Sequence, residues 1–185
     1  MTLRWLPNAI CIVRMLLVAP FVYLLVREQY VGALGVFVVA GISDGLDGFL
    51  AKTFDWRTRL GSLLDPAADK LLLVSAFLAL TYAGLAPPAL TEIVVGRDLL
   101  IVAGAITYQL MIAPLQGEPA AISKLNTACQ LGFVFFTMVA AAFGWPPPVS
   151  LTALGAAVVF TSIVSGLNYV LRWSRRAWVV AHARG

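Results

Sequence analysis

Apolar residues run through this chain in six stretches, each close to the length a helix needs to cross a lipid bilayer. About 20 mostly apolar residues span the hydrocarbon. The stretches at approximately 8–26, 30–52, 62–84, 89–111, 122–143 and 149–172 meet that requirement. Turn formers separate them, notably Gly84 with Pro87 and Pro88, and Gly144 followed by Trp145 and prolines 146 to 148. The pattern predicts an all-α, polytopic membrane protein with six transmembrane helices. It would form a single domain over 1–185, ending in a short basic tail at about 173–185.

Composition agrees with that pattern. Apolar residues make up 61% of the chain and charged residues 12%, about half the charged share of a soluble domain. Lipid, rather than water, is the expected surrounding. The net charge of +4 does not point to nucleic acid, because the basic residues flank the spans. Arg4, Lys52, Arg57, Arg59, Lys124, Arg172, Arg175, Arg176 and Arg184 fall on one side of the predicted topology, and Arg27 alone on the other. The positive-inside rule then puts both termini in the cytoplasm, with a bacterial inner membrane as the expected location. Arg14 interrupts the first stretch and no small-residue cleavage site follows it, so this segment is expected to stay as a membrane helix rather than leave as a signal. Arg172, Trp173, Arg175, Arg176 and Trp178 read as an interfacial anchor for anionic headgroups. His182 lies in this tail and is not a catalytic candidate. Cys11 and Cys129 both lie in apolar runs, with no CxxC or Cys/His spacing, so neither a disulfide nor a zinc site is expected.

Acidic residues break the pattern where the second and third spans meet. Asp44 and Asp47 close the second, and Asp65 and Asp69 open the third. Ionisable groups in or near a bilayer are costly and usually functional. Asp44 and Asp47 stand i,i+3 and Asp65 and Asp69 i,i+4, so each pair occupies one helix face. Both helix ends lie on the same side of the membrane, so the faces can converge. Carboxylates gathered in one pocket repel unless cations lie between them. Oxygen-only ligation suits a hard divalent ion, Mg2+ or Mn2+, and four carboxylates could hold two such ions with a phosphate-bearing substrate. Gly45, Gly48 and Gly61, with Ala51 one turn beyond Asp47, would leave room beside them. A local reading exists for Asp65, which precedes Pro66 and could serve as a helix N-cap. Asp55 reads as a solvated loop charge near Arg57 and Arg59.

The run Asp44, Asp47, Gly48, Ala51, Lys52, Gly61, Asp65, Asp69 resembles the signature of the CDP-alcohol phosphotransferases, with every spacing kept. Lys52 departs from it, standing where that family usually has Arg; the charge stays but bidentate phosphate binding is lost. Leu6-Pro7-Asn8 with Arg14, then Arg97-Asp98, then Ser123-Lys124-Leu125-Asn126-Thr127 with Gln130, resemble the glycerolipid branch, with the last two closer to cardiolipin synthases than to phosphatidylglycerophosphate synthases. The resemblance implies six helices and metal ligation by Asp44, Asp47, Asp65 and Asp69, with Asp69 also the general base. It assigns Asn8, Gly48, Ala51, Lys52 and Gly61 to the nucleotide and its phosphates. It also implies CDP-diacylglycerol and an alcohol acceptor as substrates, with CMP leaving.

Arg14, Arg97 and Lys124 are the candidates for the acceptor site. Arg14 and Arg97 sit at membrane depth, where a charge needs a partner. Their alternative role is an internal ion pair, for instance Arg97 with Asp98 or with a carboxylate of the cluster. The acceptor stays open between phosphatidylglycerol, glycerol 3-phosphate and, with less support, inositol phosphate or serine. An ion transporter would also carry intramembrane carboxylates, but no second polar cluster continues a path outward and no inverted repeat is visible. A homodimer is compatible with a chain of this size, with no interface legible in the sequence.

Overall fold

The structure is a computed structural model. It describes the backbone of residues 6–53, 61–111 and 121–183, and their side chains except those of 6–7, 47–52, 61–65, 106, 108–111 and 173–183. Six helices follow in order: α1 Leu6–Val26, α2 Tyr30–Thr53, α3 Gly61–Tyr82, α4 Pro88–Met111, α5 Ala121–Phe143 and α6 Pro148–Ala183. Five of them keep the bounds the hydropathy pattern predicts, to within two residues.

The sixth does not. It continues for 36 residues, about 54 Å at 1.5 Å per residue, and takes in much of the segment expected as a tail. Residues 167–183 contain neither glycine nor proline, so nothing local ends the helix where hydropathy falls. A helix satisfies its own backbone in lipid and in water alike, and apolar length therefore does not set its end.

By length and composition, three helical segments can cross a membrane: Asn8–Val26, Ala121–Phe143 and Pro148–Arg172. Their outward faces are apolar, with Val149 79% and Phe160 67% exposed, as lipid contact requires. Among the remaining helices, α3 carries Asp65, Asp69 and Lys70, and α4 carries Glu92, Arg97 and Asp98. The same residues that mark a site lower the hydropathy of the helices bearing them.

The chain forms two compact units, Met1–Ala86 with Val134–Pro147, and Pro87–Phe133 with Pro148–Gly185. In the first, α1 packs on both α2 and α3. Its core includes Phe21, Leu25, Ala33, Phe37, Ala40, Ala76, Phe77 and Leu80, and the Phe21 and Phe37 rings join α1 to α2 with centroids 5.8 Å apart. In the second, α4 packs on α6. There α5 approaches α6 closely at Gly155, where an added Cβ would lie 3.4 Å from the Phe133 ring.

Two helix ends share one cap. After α3, Leu85 N–H donates to Leu80 O at 2.9 Å and Gly84 N–H to Thr81 O at 3.0 Å, with Gly84 at φ 72°. After α1, Gln29 N–H donates to Leu24 O at 2.9 Å and Glu28 N–H to Leu25 O at 3.0 Å, but the left-handed position, φ 60°, is held by Glu28. A side chain there costs about 1 kcal/mol that glycine avoids. Gly84→Ala should therefore lower, and Glu28→Gly raise, the unfolding free energy by about 1 kcal/mol each, read from denaturant or thermal unfolding of the detergent-solubilised protein.

Candidate active site

The first polar centre lies in the first unit, on α1, α2 and α3. Arg14, in mid-α1, has no exposed surface. One of its terminal nitrogens, Nη1, lies 2.7 Å from Asp44 Oδ1 on α2 and 2.5 Å from Asp69 Oδ1 on α3. A single nitrogen thus draws together one aspartate from each pair. Their two oxygens are no further apart than those two distances laid end to end. The carboxylates themselves are open, with side chains 47% and 45% exposed.

The arrangement suits a hard cation. The ligands are oxygens, they converge, and the guanidinium offsets only one of the two carboxylate charges. Among the described residues no group of three metal-ligating side chains gathers, because Asp47 and Asp65 lie outside the described side chains. Gly48, Ala51, Lys52 and Gly61 lie outside them as well; all six occupy helical backbone in α2 or α3. Around Gly45 there is open space where a Cβ would point, room of the kind a ligand beside Asp44 needs. The N-cap reading of Asp65 does not stand: α3 begins at Gly61, so Asp65 and Pro66 fall inside the helix. Proline removes one backbone bond there, and capping gives no reason for an aspartate at that position.

Of the other expected site residues, Asn8 is half-buried in the first turn of α1 and Lys124 is exposed in the first turn of α5. Arg97 lies in the second unit. Arg97 and Asp98 are both buried. Arg97 Nη1 donates to Asp98 Oδ1 at 2.6 Å, and Nη2 donates to Ser123 Oγ on α5 at 2.8 Å and to Ser165 Oγ on α6 at 2.5 Å. The Arg97 stem passes over Gly166, 3.7 Å from where a Cβ would sit. Arg97 therefore ties three helices together, and the internal ion pair named as its alternative role is present.

The motif on α5 already named Ser123, Asn126 and Gln130; the polar partners on α6 were not singled out. Thr161 Oγ1 and Ser162 Oγ, both on α6, donate to Asn126 Oδ1 at 2.9 and 2.8 Å. Gln130 is buried one turn further along. The signal that could have found them is helical spacing: Thr161, Ser162 and Ser165 recur at i, i+1, i+4 on α6, as Ser123, Asn126 and Gln130 recur at i, i+3, i+7 on α5.

Helices apolar enough to span a membrane, with aspartates of two helices meeting at a buried arginine, define a membrane-embedded protein with an acidic, oxygen-lined centre. The sequence model of one family, CDP-alcohol phosphatidyltransferase, matches residues 4–168. This chain belongs to that family. It is 34% identical over 180 residues to the human protein named cardiolipin synthase (CMP-forming), covering 89% of this chain and 60% of the human one. It is 33% identical over 186 residues to the chloroplastic CDP-diacylglycerol–glycerol-3-phosphate 3-phosphatidyltransferase 1 of Oryza sativa subsp. japonica, covering 91% and 56%. A cardiolipin synthase (CMP-forming) of Streptomyces coelicolor is 32% identical over 155 residues, covering 76% and 72%. The chain thus spans a little over half the length of the human and rice relatives.

Removing one partner of a buried ion pair strands the other. Arg97→Met should lower the unfolding free energy by about 3–5 kcal/mol, and Arg97→Met with Asp98→Leu should recover most of that loss. Unfolding of the purified single and double variants measures the coupling.

Proposed function

We propose that this chain transfers the phosphatidyl group of CDP-diacylglycerol to a hydroxyl of a glycerol-type acceptor, phosphatidylglycerol or glycerol 3-phosphate, releasing CMP in phospholipid synthesis. The observation that carries this is the convergence of Asp44 and Asp69, one aspartate from each half of the motif, on Arg14. Membership of the family and the names of the relatives on both branches support it. The match across 4–168 supports one catalytic domain. The distribution of basic residues supports six spans, cytoplasmic termini and an active site at the cytoplasmic face.

Asp44, Asp47, Asp65 and Asp69 would hold Mg2+ or Mn2+, two ions in number. When bound, the ions neutralise the pyrophosphate and stabilise the departing CMP. The chain's own groups do the rest. Asp69 accepts the proton of the acceptor hydroxyl as its oxygen bonds to the lipid-side phosphorus and the bond to CMP breaks. Arg14 holds the Asp69 carboxylate in place and keeps it beside Asp44. Lys52 would bind a phosphate, and Asn8, Gly48, Ala51 and Gly61 would serve the nucleotide. Arg14, Arg97 and Lys124 serve the acceptor. For Arg14 and Arg97 that service is indirect, through the carboxylates and serines they position. No Ser/His or Cys/His pair is available to form a covalent intermediate, so transfer is direct.

Purified protein given CDP-diacylglycerol, Mg2+ or Mn2+ and one acceptor at a time should release CMP with a glycerol-type acceptor, and a chelator should stop it. Asp69→Asn should lower kcat about 10²–10⁴-fold while binding of CDP-diacylglycerol survives. A folded, metal-loaded sample that releases no CMP with any alcohol would overturn this function. Direct transfer inverts configuration at the transferred phosphorus; retention, read on a chiral phosphorothioate substrate, would mean two displacements.

A further inference from the structure

In the first unit an enclosed cation is set against open anions. Arg14 has no exposed surface, while the Asp44 and Asp69 side chains that it bridges are nearly half exposed. An arginine usually lays its stem along apolar surface and keeps its charged head in water. Here the way out along the helix is shut: Cys11, one turn before Arg14, and Val18, one turn after it, are both buried. The guanidinium is therefore a fixed part of the centre. Together these three groups carry one net negative charge, where the two aspartates alone would carry two.

Arg14 acts on a metal ion in two opposed ways. Holding the carboxylates side by side favours an ion that needs both. Its charge disfavours the ion, since any cation on Asp44 or Asp69 shares that carboxylate with the guanidinium and is repelled by it. The packing of the first unit decides which effect is larger. One turn along from the three charged residues, Val18 on α1, Ala40 on α2 and Leu73 on α3 are all buried, and α1 packs on both of its neighbours. An apolar core thus fixes the three backbones without help from Arg14. Removing the guanidinium would free little more than two short side chains, a small entropy. It would also take a full positive charge out of a partly enclosed site, where charges act more strongly than in bulk water. Repulsion is the larger effect.

We propose that Arg14 is a positioning residue that also serves as a resident counter-cation. It answers enough of the carboxylate charge for the first unit to fold without a metal, and it loosens the hold of Asp44 and Asp69 on the ion. This rests on the metal-dependent transfer reading and goes beyond it. A loosely held ion exchanges between turnovers, and its departure leaves the fold intact.

The test measures Mn2+ binding to the full detergent-solubilised chain by electron paramagnetic resonance, with no substrate present. Thermal unfolding of the same samples is followed with Mn2+ and with a chelator. Arg14→Gln and Arg14→Met remove the charge and keep an unbranched side chain; Arg14→Lys keeps the charge. Both neutral variants should bind Mn2+ roughly tenfold or more tighter than the wild type, and Arg14→Lys to within about threefold of it. Chelation should move the wild-type Tm by less than about 2 °C and lower that of the neutral variants by about 5 °C or more. A merely structural role for Arg14 would lower the Tm without tightening the metal. Neutral variants that bind Mn2+ no tighter than the wild type would overturn the proposal. So would a wild type that unfolds on chelation, or neutral variants that stay unfolded at saturating Mn2+. A wild type that binds Mn2+ but releases no CMP with any acceptor overturns the phosphatidyl-transfer reading instead.

Discussion

A guanidinium enclosed on all sides in an apolar protein needs anions against it, and Arg14 meets that requirement with Asp44 and Asp69. Much of the first unit's polar organisation follows from that pairing. It fixes where α1, α2 and α3 face one another, because their charged positions must come to one point. It also prevents the two aspartates from separating, as like charges otherwise would. Because the carboxylates stay nearly half exposed, the pairing leaves them available to a second cation. The centre is therefore held together without being closed off, which is what a site that loads metal and releases a charged product requires.

The second unit meets the same constraint differently. Arg97 takes its counter-charge from its own helix, at Asp98, and its remaining bonds from serines on α5 and α6. Neutral hydroxyls and amides carry the interaction further along α5 until, at Gln130, the partners run out. A charge at membrane depth needs a partner. The first unit thus concentrates charge, and the second grades from charge to neutral polarity.

Much of the architecture was legible along the chain. Hydropathy and turn residues placed five helices to within two residues because lipid-length apolar runs and Gly–Pro breaks act locally. The sixth was drawn too short, since a helix ends at a breaker or an unsatisfied backbone rather than where apolar residues thin out. The aspartates stood out because their spacing departs from what an apolar span allows. The cap reading of Asp65 was plausible for a dipeptide and failed because four residues before it are already helical. The hydroxyls of α6 that answer the α5 motif were less visible: such residues are common in helices, and only their shared stripe sets them apart.

The sequence by itself determined the all-helical fold, the helix limits set by local chemistry, and the aspartate spacing that marks the family. These depend on neighbours within a few positions. Only the tertiary structure decided which charges answer one another. Arg14 could have paired with several carboxylates or with none, and Arg97 could have stood free for a phosphate. Which partner each received depends on helices brought together from positions 26 to 68 residues apart. That convergence gives the acidic centre its geometry and leaves the amide of Gln130 without a partner.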